Sequence, residues 1–370
     1  MTEGSPITEG APREVARTLR RVALWGVLPL VLVLLAAWTW YRVSDTGKRW
    51  RYVDRLSGYC AGLLPPQQTE KLTGLRTGTF ANELRRGGEL KYYQFCSAAG
   101  RYITISRVPG AKQGELDPDD IQWYFPYEDV DALPAPVPLG GGWRGHTDVE
   151  NTVTSLDCGN GGSVVVTAQG EGTEKTMDGD RAPVDRAVVQ EVAELVTATA
   201  ARAADKWGCA AKPPTGPPRI PAMAHVPEPA AGVREGGCVG LPLDRDERIA
   251  WSWGGVVGRG SLEERCVLGT REEPYQGQQE GELYTLTAKY GMQAEAARIA
   301  DHRYSDEWRE MRDPFMATAR CEGSAVRARF TVAVWDQAAD EKKGVALLKE
   351  FTRHAAERHG CTDVRMPSGS

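Results

Sequence analysis

The sequence predicts an α+β fold: an N-terminal transmembrane helix followed by two tandem, divergent copies of a disulfide-stapled antiparallel sheet, each with a closing C-terminal helix. Three observations predict it. Residues 22–41 (VALWGVLPLVLVLLAAWTWY) form one long apolar run without a charge. The chain carries 8 cysteines, all C-terminal to that run. They divide four and four about a proline-rich stretch, and the local contexts recur in the same order on both sides.

At 1.5 Å per residue the apolar run reaches about 30 Å, the thickness of a bilayer core. A helix satisfies its own backbone there, as hydrocarbon requires. Pro29 falls in its first half, where a kink is expected. Trp25 lies near one end, and Trp38, Trp40, Tyr41, Trp50 and Tyr52 lie at or beyond the other, as an aromatic belt would. A cleaved signal peptide would be shorter and would end in small residues, whereas this run ends in Trp and Tyr. A lipoprotein needs a cysteine directly after the run, but the first is Cys60. A buried soluble helix of such uniform apolarity is the third alternative. Negative mean hydropathy excludes a polytopic membrane protein.

Flanking charge leaves the direction open. Arg13, Arg17, Arg20 and Arg21 precede the run, and Arg42, Lys48, Arg49, Arg51 and Arg55 follow it, so the positive-inside comparison is nearly balanced. The cysteines supply the direction. Cys60, Cys96, Cys158, Cys209, Cys238, Cys266, Cys321 and Cys361 contain no C-x-x-C pair of the kind that structural zinc sites need. Even in number and widely spaced, they read as disulfides, which persist in oxidising compartments. The expected order is a cytoplasmic tail (1–21), the spanning helix (22–41), a juxtamembrane segment (42–55), an extracytoplasmic domain (56–211), a semi-rigid, extended Pro-rich linker (212–235) and a second extracytoplasmic domain (236–366).

The two domains read as copies. Each opens on C-x-G-L, at Cys60–Leu63 and Cys238–Leu241. A second cysteine follows in a strand-like segment, Cys96 or Cys266. A third, Cys158 or Cys321, begins a glycine-containing turn into a β-rich run. Each copy ends with an amphipathic helix and Gly-Cys, at Gly208-Cys209 and Gly360-Cys361. The repeat is too long for a solenoid unit.

Within the first copy, residues 65–74 read as a short helix with Pro near its first turn. Residues 89–96 and 101–108 read as a hairpin rich in β-branched and aromatic side chains. Residues 152–157 and 163–169 form a second pair. Residues 184–207 then show Val188, Val192, Leu195, Val196 and Thr199 at helical spacing, with Pro183 suited to the first turn and Gly208 to the C-cap. In the second copy, residues 248–253, 264–268, 282–290, 315–319 and 326–335 read as strands. Residues 342–359 read as a helix with Val345, Leu348, Phe351, Thr352 and Ala355 on one face. Strands closed by one long helix give an α+β sandwich.

Four cysteines allow three pairings in each copy. The expected one joins first to second and third to fourth: Cys60–Cys96, Cys158–Cys209, Cys238–Cys266 and Cys321–Cys361. Cys60, Leu63, Cys96, Cys158, Gly208 and Cys209, with their second-copy counterparts, resemble the framework of a broad group of uncharacterised actinobacterial exported proteins. The resemblance covers most of residues 56–366 and implies no catalytic residue and no known ligand.

Chemical motifs are sparse. His354 and His359, five apart, splay by about 140° around a helix, unlike an i, i+4 zinc pair, and are expected as solvated surface residues. One literal G-x-G-x-x-G, residues 140–145 (GGGWRG), follows a proline-rich loop rather than a strand, so dinucleotide binding is not expected. Acidic clusters at 117–120, 128–131 and 178–180 lack EF-hand spacing and read as solvated loops. Trp251 and Trp253 share one strand face and read as core. Net charge is −5, without the basic field of a nucleic-acid binder. The expectation is therefore no catalytic, cofactor-binding or metal residue. The membrane is met through residues 22–41, and an unknown envelope protein or ligand by a non-enzymatic binding or scaffold module. A hydrolase-like envelope enzyme is the alternative; a sensor acting through residues 1–21 ranks third, because that tail is too short to fold alone. Non-reducing peptide mapping should return cystine peptides internal to each copy; a peptide joining the two copies would refute the duplicated framework.

Overall fold

The computed structural model describes residues 20–21, 23–76, 78, 80–87, 92–109, 135–148, 151–159, 162–170, 185–210, 212–223, 227–270, 281–303, 315–335 and 340–367. The chain forms two compact units, Met1–Arg55 and Leu56–Ser370. The acidic clusters at 117–120, 128–131 and 178–180 and nearly all of the 1–21 tail lie outside the described residues.

In the first unit, Leu24–Val43 is long and apolar enough to cross a membrane, and none of it is buried in the fold. Its first turn, Ala23–Val27, is wound as a wider π-helix. Helix α1 (Leu28–Val43) then follows without a break, with Pro29 at the junction of the two windings. At Ser44 the backbone turns extended (ψ 149°). The Ser44 hydroxyl accepts from Gly47 N at 3.0 Å, and helix α2 (Asp45–Gly58) begins.

The second unit carries both copies. Helix α3 (Pro66–Thr73) precedes strands β1 (Ala81–Gly87), β2 (Tyr92–Ala98), β3 (Arg101–Val108), β4 (Val137–Pro138), β5 (Gly145–Thr147), β6 (Asn151–Asp157) and β7 (Ser163–Gly170), and helix α4 (Arg186–Lys206) closes the copy. The second copy runs β8 (Glu228–Pro229), β9 (Trp251–Gly254), β10 (Glu263–Gly269), β11 (Glu282–Lys289), helix α5 (Met292–Arg303), β12 (Met316–Cys321), β13 (Ala328–Val334), helix α6 (Glu341–Arg358) and β14 (Cys361–Arg365). Each sheet is antiparallel and has 7 strands, in the orders β1-β2-β3-β7-β6-β5-β4 and β14-β12-β13-β11-β10-β9-β8.

Reading the second order backwards shows what was duplicated. β1-β2-β3-β7-β6 and β9-β10-β11-β13-β12 are the same five-strand path: a meander of three, then a jump that pairs the fifth strand with the third. The sheets differ in how they are extended. β5 and β4 extend the first beyond β6; β14 and β8 extend the second at opposite ends. The closing helices match as well. α4 is capped by Asp185, which accepts from Ala187 N at 2.8 Å, and α6 by Asp340, which accepts from Lys342 N at 2.9 Å. Gly208 (φ 64°) and Gly360 (φ 62°) end them in the left-handed region that glycine tolerates. The bridges are Cys60–Cys96, Cys158–Cys209, Cys238–Cys266 and Cys321–Cys361, all internal to one copy.

Each helix lies on one face of its own sheet. Leu348, Phe351 and Ala355 of α6 share a core with Cys266, Leu286 and Phe330. The opposite faces are buried too. Met292, Ala296 and Ile299, at helical spacing on α5, pack with Leu262 on Tyr93, Val108, Val153 and Val165 of the first copy's sheet. In return, Ala135 of the first copy packs on Trp251, Trp253 and Val267. Both tryptophans are thus core residues. Burial on both faces explains why β6 and β10 are buried almost throughout rather than alternately.

The proline-rich segment is extended but docked. Trp143 Nε1 donates to Gly216 O (2.8 Å), Gln190 Nε2 to Pro218 O (2.8 Å) and Arg186 to Ile220 O (2.8 Å). Arg219 N donates to Leu139 O at 2.7 Å. Prolines lack N–H donors, so side chains serve the carbonyls that this strap presents. Ile220 is buried beside them.

Asp246 ties the start of α6 to the turn before β9. Its carboxylate receives Arg248 and Lys343, each at 3.0 Å. Hydrogen bonding from Arg248, against some burial and with help from Lys343, lowers its pKa from 3.8 to about 2. A depressed carboxylate contributes stability that is complete above the unfolded value and is lost as pH falls through the folded one. The contribution is at most about 2 kcal/mol. Urea midpoints of wild type and Asp246→Asn should therefore differ at neutral pH and converge between about pH 4 and pH 2; a constant difference would refute the tie.

Candidate functional site

In each copy the closing helix ends over the second strand, and the residue two places before the fourth cysteine arrives near the residue two places before the second cysteine. In the second copy these are His359 and Glu264. His359 Nε2 lies 2.8 Å from Glu264 Oε1, and Arg358 donates to Glu264 Oε2 at 2.7 Å. The Glu264 side chain is 1% exposed and the imidazole 5%. Tyr290 lies flat on the imidazole, ring centroids 3.6 Å apart and 13° from parallel, and edge-on to Phe330. Burial, reinforced by the Glu264 charge and opposed by Arg358, pushes the Tyr290 phenol well above its ordinary range. Its hydroxyl is buried and meets no hydrogen-bond partner among the described residues.

The expectation of a solvated His359 is thus corrected. The helix turn that separates it from His354 also turns it inward over β10. His354 sits at the surface but is engaged: its Nε2 lies 3.2 Å from Gly240 O. That carbonyl belongs to the C-x-G-L turn. In the first copy Arg202 donates to Gly62 O at 3.0 Å. Arg202 and His354 each stand seven residues before the last cysteine of their copy, so the helix-to-turn contact is duplicated with different chemistry.

The helix end is duplicated in the same way. The counterparts of His359 and Glu264 are Trp207 and Gln94. Trp207 packs edge-on to Tyr92 (centroids 5.0 Å), and the Tyr92 hydroxyl donates to Gln94 Oε1 at 2.9 Å. Burial raises the Tyr92 pKa, with Arg85 over its ring opposing. An aromatic ring, a tyrosine and a buried polar strand residue therefore meet in both copies, with an amide on the strand in one, itself donating to Glu83 at 3.0 Å, and a carboxylate in the other.

The glycine-rich stretch 140–145 is a turn filled by protein. Gly140 and Gly141 have φ of 65° and 62°. A Cβ on Gly140 would stand 2.6 Å from Arg219 O, and one on Gly141 2.5 Å from Pro217 O. The glycines admit the proline strap, in the place where a nucleotide loop would admit phosphate. A shallow depression is lined by Glu228, Val233, Glu235, Cys238, Ser252, Trp253 and Gly254, with no room for a small molecule. No group of three or more His, Cys, Asp or Glu placed to hold a metal occurs among the described residues. The eight cysteines expected from sequence are all in bridges, two per pair of elements they join.

Chemically, the Glu264–Arg358–His359 group is a buried carboxylate held by a guanidinium and an imidazole from the end of one helix. Removing one member of such a cluster strands its partner's charge, which costs about 3–5 kcal/mol. No family model, curated protein or solved structure matches the chain.

A double-mutant cycle tests the cluster. Glu264→Gln and His359→Gln should each destabilise by more than about 1 kcal/mol, and the double variant by clearly less than their sum; strict additivity would show that the pair is uncoupled. Tyr290→Phe should be neutral or stabilising by up to about 1 kcal/mol, since it removes a buried hydroxyl without a partner.

Proposed function

We propose that the chain is a single-pass membrane-anchored protein whose Leu56–Ser370 portion stands on the extracytoplasmic side and serves as a non-enzymatic binding or scaffold module of the cell envelope. The observation that carries the reading is a conjunction: one apolar helix with none of its span buried, and four disulfides that all follow it. An unburied apolar helix calls for lipid. Disulfides call for an oxidising compartment. The cysteine framework's resemblance to exported proteins agrees with that side of the membrane.

The non-enzymatic half of the reading is supported by how the polar residues are used. The histidine–carboxylate pair is turned inward and closes a helix end, and its counterpart in the first copy fills the same place with Trp207 and Gln94. The place at the helix end is kept while the ring and the strand residue change their chemistry, which supports a structural role for it.

Protease treatment of intact cells should cut within residues 56–366. Cross-linking on the same cells should return an envelope protein or glycan as the neighbour. Protection of that segment until the membrane is opened would reverse the orientation. Substrate turnover by the purified protein, with no envelope neighbour cross-linked, would replace the binding reading by an enzymatic one.

A further inference from the structure

The end of α1 and the start of α2 form a corner that is shaped for a membrane surface. A Cβ on Gly47 would strike the Tyr41 carbonyl, so the glycine lets α2 turn back onto the last turn of α1. Arg51 donates to the carbonyls of Tyr41 and Arg42, two of the groups that a helix C-terminus leaves unserved. Its guanidinium stands 4.9 Å over the Tyr41 ring, and Arg42 stands 5.1 Å over Trp38. Trp50 of α2 meets Trp40 of α1 edge-on, centroids 6.1 Å apart, with both rings about half exposed.

We propose that this corner binds anionic lipid headgroups, with α2 lying in the headgroup layer. The proposal rests on the reading that α1 spans the membrane. If Trp40 sits in the aromatic belt, the contact with Trp50 puts α2 at the same depth, where an amphipathic helix meets both acyl chain and phosphate. Trp50 and Val53 supply exposed apolar surface. Residues 42–55 carry Arg42, Lys48, Arg49, Arg51 and Arg55 against Asp45 and Asp54, a net positive collar. The Lys48–Asp45 pair is exposed on both sides, and such a pair holds its cation weakly against a competing phosphate. The charge complement is therefore an anionic headgroup, at the depth where the aromatic rings already place the helix.

The test uses the full chain in nanodiscs of phosphatidylcholine alone or mixed with phosphatidylglycerol, with lipids brominated near the headgroup. The quenching owed to Trp50 is the difference between wild type and Trp50→Phe; that owed to Trp40 comes from Trp40→Phe in the same way. Trp40 should be quenched in both compositions, and Trp50 most strongly with phosphatidylglycerol. Phosphatidylglycerol should be enriched around wild type and less so around a Lys48→Gln/Arg49→Gln/Arg55→Gln variant, by about fivefold per cation removed at low salt. Quenched Trp40 with unquenched Trp50, or enrichment that the triple variant leaves unchanged, would overturn the proposal while leaving the anchor in place. Unquenched Trp40 would remove the anchor reading and this one with it.

Discussion

Each sheet has two faces to bury and one closing helix to bury them with. That shortage is the constraint on which the remaining structure depends. The helix faces are covered at home, by α4 and α6. The opposite faces carry Tyr93, Val153 and Val165 in one copy and Trp251, Trp253 and Val267 in the other, side chains too large to leave in water without a cost of about 1.5–3 kcal/mol each. Each copy covers the other's deficit with the chain that connects its third and fourth core strands: α5 in one direction, the segment at Ala135 in the other. The result is one unit, Leu56–Ser370, and the proline strap is docked because there is no gap for it to bridge.

The duplication separates what the fold requires from what it tolerates. The five-strand path, the Asp caps, the Gly-Cys endings and the helix bond to the C-x-G-L carbonyl recur. The side chains that meet at the helix end do not: Trp207 and Gln94 answer to His359 and Glu264, and the tyrosine beside them comes from the second strand in one copy (Tyr92) and from the end of the third in the other (Tyr290). At those two positions the chemistry is exchanged, as packing a ring and satisfying a buried polar group allow.

Much of this was legible in the sequence, and the misses have physical causes. Strand β3 was read with its observed bounds and β7 to within a residue, because a run of β-branched residues bounded by glycines has few other solutions. The closing helices were found from their apolar stripes, although α4 starts at its Asp185 cap rather than at Pro183. Helix α5 was missed because its stripe of Met292, Ala296 and Ile299 is short and alanine-rich, and it serves a partner across the unit rather than its own sheet. β14 was missed because Gly-Cys reads as an end, while Cys361 pairs with Cys321 in a further ladder. At the site, the spacing of the cysteines made positions such as 264 and 359 comparable between copies, but a linear pattern does not say that they meet. The histidine was misread for that reason: helical spacing from His354 predicts its direction around α6, not what lies over it.

Reciprocal covering also has a consequence in time. The first copy's sheet is complete at Gly170, but α5, which covers its inner face, ends at Arg303. About 130 residues must follow before the cover exists, roughly 6–26 seconds at ordinary rates of synthesis. Through that interval the finished first sheet presents Tyr93, Val153 and Val165 to whatever surrounds it. The order of the chain, with the cover last, thus fixes the period in which the first sheet is most exposed to aggregation.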